Sequence, residues 1–205
     1  MSSDRPGVAP SAEPDLAALL KARGAPLLEA LEAHLPGSRA HAAATGSYAF
    51  AASVELSFNR SQCEVAREAA VMHEVGLIYV PAATLVKAAA DRDEAEVFAV
   101  DNHYEAGYKL ARGAGIPEHV CRWLVRVRER FDGRGPESIA GEQIPLESRL
   151  IRVSCLAASA LARAEGGSEP AHGEAIAALD QASATELDPR LVAILTDVLT
   201  RAATA

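Results

Sequence analysis

Residues 71–76 read Val71-Met72-His73-Glu74-Val75-Gly76 and place a histidine next to a carboxylate at the end of an apolar helical segment. Ser61 and Glu64 have the spacing of a capping box, which predicts that this helix begins there and ends near Gly76. Imidazole nitrogen and carboxylate oxygen both bind divalent ions of the Zn, Fe and Mn type. His73 and Glu74 are therefore candidate ligands of one metal ion.

The composition around this segment favours helices throughout the chain. Hydrophobic residues make up 49% of the sequence but aromatic residues only 4%, so Ala, Leu and Val carry the core. Such a core is typical of closely packed helices, whereas a sheet protein would have more aromatic and β-branched residues. Gly24 and Pro26 predict a break near the start, and Asp91 with Glu94 predicts a second capping box that opens one long helix to Gly113. We predict an all-α fold of about eight to nine helices.

The two ends of the chain differ in composition. Residues 1–14 are rich in Pro, Ser, Gly and Ala, which predicts a disordered tail. Residues 15–205 carry helical periodicity with short Gly- and Pro-containing connections, which predicts one helical domain.

Charge and cysteine content exclude several classes of protein. The formal net charge is −8 at pH 7, which disfavours nucleic acid as the main partner. No apolar run has the length of a membrane span, and the N-terminus has no secretory signal. The three cysteines include no CxxC pair, which indicates reduced thiols. We expect a cytoplasmic protein without membrane segments.

Further motifs flank the His-Glu pair in a fixed order. His41 lies 32 residues before His73 and His103 lies 30 residues after it. Residues 129–136 (ERFDGRGP) and 141–149 (GEQIPLESR) follow. In this order the segments, across about residues 38–200, resemble the HD-GYP family of bacterial cyclic-di-GMP phosphodiesterases, a branch of the HD phosphohydrolases. The resemblance implies an all-helical HD domain in which a cluster of two or three metal ions hydrolyses a cyclic dinucleotide.

The chain departs from the family pattern at several ligand positions. Glu74 stands where the family has Asp. Where the family has a Lys, this chain has Leu77, and where it has a pair of His ligands, this chain has Val127-Arg128. Cys155 replaces an Asp ligand, and the acidic ligand that the family has near the position of Gly37 is absent. The family's Gly-Tyr-Pro is shortened to Gly135-Pro136. The resemblance therefore leaves a reduced set of metal ligands, with Cys155 as a thiolate candidate: His41, His73, Glu74, His103 and Cys155. Because several carboxylates are needed to offset two adjacent dications, we expect either one divalent ion (Fe, Mn or Zn) or no metal at all, rather than a cluster.

These ligand assignments have simpler alternatives. Each histidine taken alone could be a hydrogen-bonded core residue, and Cys155 lies in an apolar helical run that favours a small buried thiol.

One basic cluster stands out in the acidic chain. It consists of Arg126, Arg128, Arg130 and Arg134, near the presumed substrate cleft. Guanidinium groups bind phosphate in a bidentate manner, so these are candidate phosphate or nucleotide ligands. A solvated helix face is the alternative.

The leading hypothesis is a degenerate HD-GYP-like domain that is catalytically inactive or weak. It would act in bacterial cyclic-di-GMP-type signalling by binding a cyclic dinucleotide, another phosphate ligand or a protein partner. The alternative is an active metal-dependent phosphohydrolase with a reduced, single-metal site. A third hypothesis is a scaffold whose helices mediate homodimerisation.

Overall fold

The computed structural model describes residues 15–164 and 169–204, so the tail predicted for residues 1–14 lies outside the described residues. The α-helices are α1 (Leu16–His34), α2 (Ser38–Glu55), α3 (Arg60–Val71), α4 (Ala82–Leu85), α5 (Glu94–Asp101), α6 (His103–Gly113), α7 (Glu118–Arg126), α8 (Leu146–Arg163), α9 (Glu169–Ala182) and α10 (Pro189–Ala203). Short 3-10 helices lie at Val75–Tyr79, Ala89–Asp91 and Gly141–Gln143.

The prediction of an all-α fold is confirmed. Nine of the described α-helices have eight or more residues, and α4 has four. Within residues 15–164 and 169–204 the only extended pairing is an isolated bridge between Ser183 and Leu187. No helix in this part of the chain has the length and apolarity needed to cross a bilayer.

The core lies between α2, α3 and α8, with α9 packed against α8 and α10 packed against α2, α8 and α9. Alanines line the contact between α2 and α3, because small side chains let two helix backbones approach closely: Ala49, Ala52, Ala66, Ala69 and Ala70 are all buried. Leucines of α8 and α10 complete the same core, including the fully buried Leu150, Leu191, Leu195 and Leu199. Removal of these apolar surfaces from water is the main force that holds the bundle together.

The predicted break near the N-terminus is wrong, because α1 runs without interruption through Gly24 and Pro26. Leu20 and Leu31, on either side of the two breakers, are both buried, so tertiary packing outweighs the local helix propensity. Gly24 also has a packing role, since a Cβ atom there would lie 2.6 Å from the Met72 sulfur.

Both predicted capping boxes exist, but each is displaced by two residues. The first is formed by Asn59 and Gln62 and the second by Asp93 and Glu96. The predicted long helix is divided at Asn102 into α5 and α6. This division matters for the site because it makes His103 the first residue of α6 and directs the N-terminal end of α6 towards the 3-10 helix Val75–Tyr79.

Candidate functional site

Four potential metal ligands meet where α2, the end of α3 and α8 come together. One ligand atom from each of His41, His73, Glu74 and Cys155 lies within 4.8 Å of the other three. His41 Nε2 is 3.6 Å from Cys155 Sγ and 3.6 Å from Glu74 Oε2. His73 Nε2 is 3.7 Å from Glu74 Oε1. The structure thus brings four of the five predicted metal ligands into one compact group.

The end of α3 orients His73 towards the centre of this group. The helix ends at Val71, and His73 Nδ1 donates a hydrogen bond of 2.8 Å to the Ala70 carbonyl. Because a carbonyl can only accept, this bond places the ring proton on Nδ1 and leaves a lone pair on Nε2. The Nε2 atom is buried and has no hydrogen-bond partner among the described residues. A metal-binding imidazole is usually oriented by a hydrogen bond from the ring nitrogen that does not bind the metal, which is the role that Nδ1 has here.

His103 repeats this arrangement beside the group but is not one of its four members. Its Nδ1 donates to the Val100 carbonyl at 2.5 Å, and its buried Nε2 has no partner among the described residues. Its ring packs against Tyr104, with the two centroids 3.8 Å apart. His103 therefore offers a second free nitrogen at the edge of the cluster.

Burial controls the protonation of these groups. It lowers the pKa of His73, an effect that the Glu74 carboxylate opposes and His41 reinforces. Burial also lowers the pKa of His103, while the Val100 carbonyl opposes it. Burial and the charge of Glu74 raise the pKa of the Cys155 thiol to about 12. The two buried imidazoles are therefore neutral at pH 7, as ligation requires, whereas the thiol loses its proton only when a cation replaces it.

The donor set fits one tetrahedral divalent ion. Bonds of about 2.0–2.3 Å to nitrogen, oxygen and sulfur place adjacent ligand atoms about 3.3–3.8 Å apart around a tetrahedral centre. Three ligand-atom pairs of the group, at 3.6, 3.6 and 3.7 Å, have that spacing. The full set of four atoms spans up to 4.8 Å, so the side chains would draw closer together around an ion. Two imidazoles with a thiolate favour Zn, or another borderline-soft ion, over Mg. A cation here would also satisfy the unpartnered Nε2 of His73.

A cleft of about 670 Å³ adjoins the cluster at His103. Of the four predicted phosphate ligands, Arg128, Arg130 and Arg134 line it. Arg130 is held by ion pairs of 2.8 Å to Asp132 and 2.9 Å to Glu186. Neither the Arg128 guanidinium nor that of Arg134 forms an ion pair or hydrogen bond that the structure records among the described residues. These two cations are thus available to an anionic ligand.

Arg126 lies elsewhere. It is absent from the cleft lining and forms an ion pair with Glu137. Arg128 instead lies close enough to His103 for its charge to contribute to the lowered pKa of that histidine.

Two residues that the sequence analysis did not single out, Arg152 and Tyr104, lie between the cleft and the cluster. Both line the cleft and also a smaller hollow of about 220 Å³ that reaches Cys155. Arg152 is three residues before Cys155 on α8, so helical spacing could have placed both side chains on one face. Burial of the Tyr104 hydroxyl raises its pKa, and it stays protonated as a hydrogen-bond donor.

Comparison with known proteins identifies the domain. The sequence model of the HD domain family matches residues 27–191. The chain belongs to the HD domain family.

Two curated relatives with described activities are similar to part of this HD domain. The cyclic di-GMP phosphodiesterase response regulator RpfG of Xanthomonas campestris is 31% identical over 103 residues, which cover 49% of this chain and 27% of RpfG. The cyclic di-GMP phosphodiesterase PdeB of Borreliella burgdorferi is 25% identical over 112 residues, which cover 54% of this chain and 29% of PdeB. The matched regions thus span less than a third of either relative.

Solved structures share the fold at low sequence identity. The HD domain of the phosphodiesterase PgpH from L. monocytogenes has a TM-score of 0.66 at 14% identity and covers 86% of this chain and 96% of that one. A second structure of it, in complex with cyclic-di-AMP, has a TM-score of 0.63 at 14% identity, with 86% and 94% covered. A cyclic GMP-AMP specific phosphodiesterase of V. cholerae has a TM-score of 0.62 at 15% identity, with 91% and 52% covered. These likenesses establish the HD fold of this chain.

Proposed function

We propose that this HD domain binds one divalent metal ion and a cyclic dinucleotide, and that it is a signalling module with weak or no phosphodiesterase activity. The observation that carries the proposal is the chemistry of the cluster. It contains a single carboxylate, Glu74, and a fixed cation, Arg128, lies near enough to His103 for its charge to contribute to the lowered pKa of that histidine. A second metal ion would have to bind next to that cation.

Charge balance favours one ion over two. A dication bound by the Glu74 carboxylate and the Cys155 thiolate gives a neutral site. Two unit charges 4 Å apart repel by about 4 kcal/mol at an effective dielectric constant of 20, and two dications repel about four times as strongly. No further carboxylate belongs to the group of ligands that the described residues form. The charge of Arg128 adds to the repulsion.

Coordination number favours binding over turnover. When bound, a divalent ion would supply Lewis-acid polarisation of a phosphoryl oxygen. Catalytic zinc sites keep one position open, whereas sites with four protein ligands are typically structural. His41, His73, Glu74 and Cys155 together fill a tetrahedral shell. This chain's own residues would bind the phosphate, with Arg128 and Arg134 donating to its oxygens.

The size and lining of the cleft support a nucleotide as the ligand. Small-molecule sites commonly have volumes of about 300–1,000 Å³, and the arginine-lined cleft has about 670 Å³. Two curated relatives act on cyclic di-GMP, and one structural neighbour was solved with cyclic-di-AMP. A cyclic dinucleotide has two phosphodiesters, which suits a cleft with more than one guanidinium.

One observation favours the alternative of a working single-metal phosphohydrolase. The side chains of His41 and Glu74 retain 19% and 24% of their solvent exposure, so water can reach the cluster. If Glu74 released the ion, a coordination position would open. A screen of small phosphoesters with added Mn, Fe, Zn or Mg separates the two functions, because a module without an open position turns over none of them.

The decisive experiment measures metal content, binding and hydrolysis on the same preparation. Protein purified without chelators or metal resin should contain about one ion per chain by elemental analysis, and His73→Ala should lose it. Calorimetry should show cyclic di-GMP binding that Arg128→Ala weakens by about 10-fold or more, because hydrogen bonds to charged groups contribute about 1.5–3 kcal/mol.

The matched control is Arg122→Ala, since Arg122 is exposed on α7 and pairs with Glu118 away from the cleft. It should leave cyclic di-GMP affinity unchanged. Chromatography of the reaction mixture should show little linear product. Rapid hydrolysis that disappears in His73→Ala would refute the proposed lack of activity, and absence of cyclic di-GMP binding would refute the proposed ligand.

A further inference from the structure

Two aromatic side chains lie unusually exposed beside the arginine-lined cleft. Phe98 on α5 is 69% exposed and Tyr79, at the end of a 3-10 helix, is 67% exposed. Aromatic residues normally bury most of their surface, and a Phe this exposed loses the favourable transfer free energy that burial would give. Both rings line a hollow of about 440 Å³.

The hollow adjoins the cleft. Phe98 and Asn102 line both of them, so the Phe98 side chain lies on the boundary between the guanidinium groups and the second aromatic ring. A ligand that extends from the arginines past Phe98 would place its next group between Phe98 and Tyr79.

We infer that this hollow is a base-binding subsite, in which Phe98 and Tyr79 stack on a nucleobase of a ligand whose phosphates contact Arg128 and Arg134. The inference rests on the proposed function, because it takes the arginine-lined cleft as the phosphate site. It specifies the ligand as a nucleotide rather than a simple phosphate ester. Stacking on an aromatic face is available to every base, so the subsite would tolerate different bases.

Polar groups around the hollow suit a nucleobase better than an apolar peptide side chain. Lys109 and Glu105 contribute to the lining, and their charged groups can pair with the polar edge of a base. The Asn102 Nδ2 donates to the Phe98 carbonyl at 2.8 Å, which orients the amide and leaves its oxygen free to accept from a base amino group. Aromatic faces with hydrogen-bonding groups at their edges are what recognition of an unpaired base requires.

The segment that carries Phe98 is held in place before any ligand binds. Asp93 and Glu96 form a capping box at the start of α5. Glu96 also pairs with Lys87 at 2.5 Å. A fixed ring loses less entropy on stacking than a mobile one, so the exposed position of Phe98 is suited to binding.

The test uses two probes, by calorimetry on the metal-loaded protein. Cyclic di-GMP carries two bases and two phosphodiesters, and ribose 5-phosphate is a sugar phosphate without a base. Phe98→Ala should weaken cyclic di-GMP binding by about 5- to 100-fold, in line with the loss of one stacked base. The same variant should bind ribose 5-phosphate as the unmodified protein does, and Phe98→Trp should retain the affinity for cyclic di-GMP.

Val97→Ala is the matched control, because Val97 is exposed on the same helix and lines neither the cleft nor the hollow. It should leave both affinities unchanged. Since Phe98 is exposed, an unchanged melting temperature of Phe98→Ala without ligand will show that the variant folds.

The possible outcomes separate this inference from the proposed function. If Phe98→Ala binds cyclic di-GMP like the unmodified protein while Arg128→Ala binds it weakly, the base subsite is refuted and the proposed function stands. If the unmodified protein binds cyclic di-GMP no better than ribose 5-phosphate, the base subsite is also refuted. If it binds neither probe, the proposed function fails and this inference with it.

Discussion

Gly76, the last residue of the His-Glu motif, leaves no room for a Cβ atom against the backbone of α6, and its replacement by alanine is a stringent test of the structure. Gly76 lies in the 3-10 helix Val75–Tyr79, which packs against the start of α6. A Cβ atom at Gly76 would lie 1.8 Å from the His103 carbonyl oxygen and 2.5 Å from the Gly107 amide nitrogen. Both are backbone atoms that no side-chain rotation can move, so α6 must shift away as a unit.

The expected effect is large for the addition of one methyl group. Overpacking of a well-packed interior costs about 1–3 kcal/mol and occasionally more. Because the clash in Gly76→Ala is with backbone, we expect the free energy of unfolding to fall by about 3 kcal/mol. For a domain of this size the melting temperature then falls by about 6–12 °C. The shift of α6 also moves His103 away from His73, so metal or nucleotide affinity should fall as well.

Thermal unfolding followed by circular dichroism measures the change, with Gly113→Ala as the control. Gly113 is the last residue of the same helix α6, and a Cβ atom there would meet nothing within 4 Å. Gly113→Ala should be neutral or should stabilise the protein by up to about 1 kcal/mol. Melting of Gly76→Ala within about 1 °C of the control would refute the close approach of the two backbones, since the predicted shift is several times larger.

Three further predictions follow from the site and the core. Cys155→Ser should lower the affinity for Zn more than the affinity for Mn, because only the softer ion gains from a thiolate ligand. If a competition titration shows that the affinities for both ions fall equally, Cys155 is not a metal ligand. Burial lowers the pKa values of His73 and His103 below the ordinary 6.5, so the unfolded chain takes up protons before the folded protein does as the pH falls. The melting temperature of the metal-free protein should therefore decrease below about pH 6.5. A melting temperature that does not change with pH would contradict the burial of the two rings in the neutral form. Asp188→Ala should lower the free energy of unfolding, measured by urea titration, by about 3–5 kcal/mol, because it leaves the largely buried Arg149 without its ion-pair partner. Asp188→Asn should lower it by less, because asparagine can still cap α10, and equal effects of the two variants would contradict the capping role.

Local sequence signals accounted for the helical class, whereas the candidate ligands of the cluster came from the family resemblance. Low aromatic content and Ala-rich segments predicted close helix packing, and α2 and α3 pack in that way through their alanines. His41 and His73 were chosen because they match the family motif, and Glu74 and Cys155 because they stand at ligand positions where the family has Asp. The fold brings these residues together from three separate segments, within 4.8 Å.

Features that depend on tertiary contacts could not be predicted from local patterns. Gly24 and Pro26 carry helix-breaking signals, but Met72 packs against Gly24 and the helix continues. The division between α5 and α6 is likewise absent from the periodicity. The arginines at 126, 128 and 130 look equivalent in sequence, yet α7 ends at Arg126, so the next residues follow a turn and their side chains point in directions that helical spacing does not give.

Arg128 and Cys155 both depart from the family pattern, and under the proposed function they act in the same direction. The Cys155 thiolate would complete the shell of one ion and neutralise it. The Arg128 guanidinium would then supply, without a second ion, a positive charge for the phosphate. A fixed guanidinium binds the phosphate of the bound ligand as well as that of a transition state, and it cannot generate a nucleophile. Together the two residues would preserve affinity for a phosphodiester while removing most of the power to cleave it, which is the property expected of a sensor.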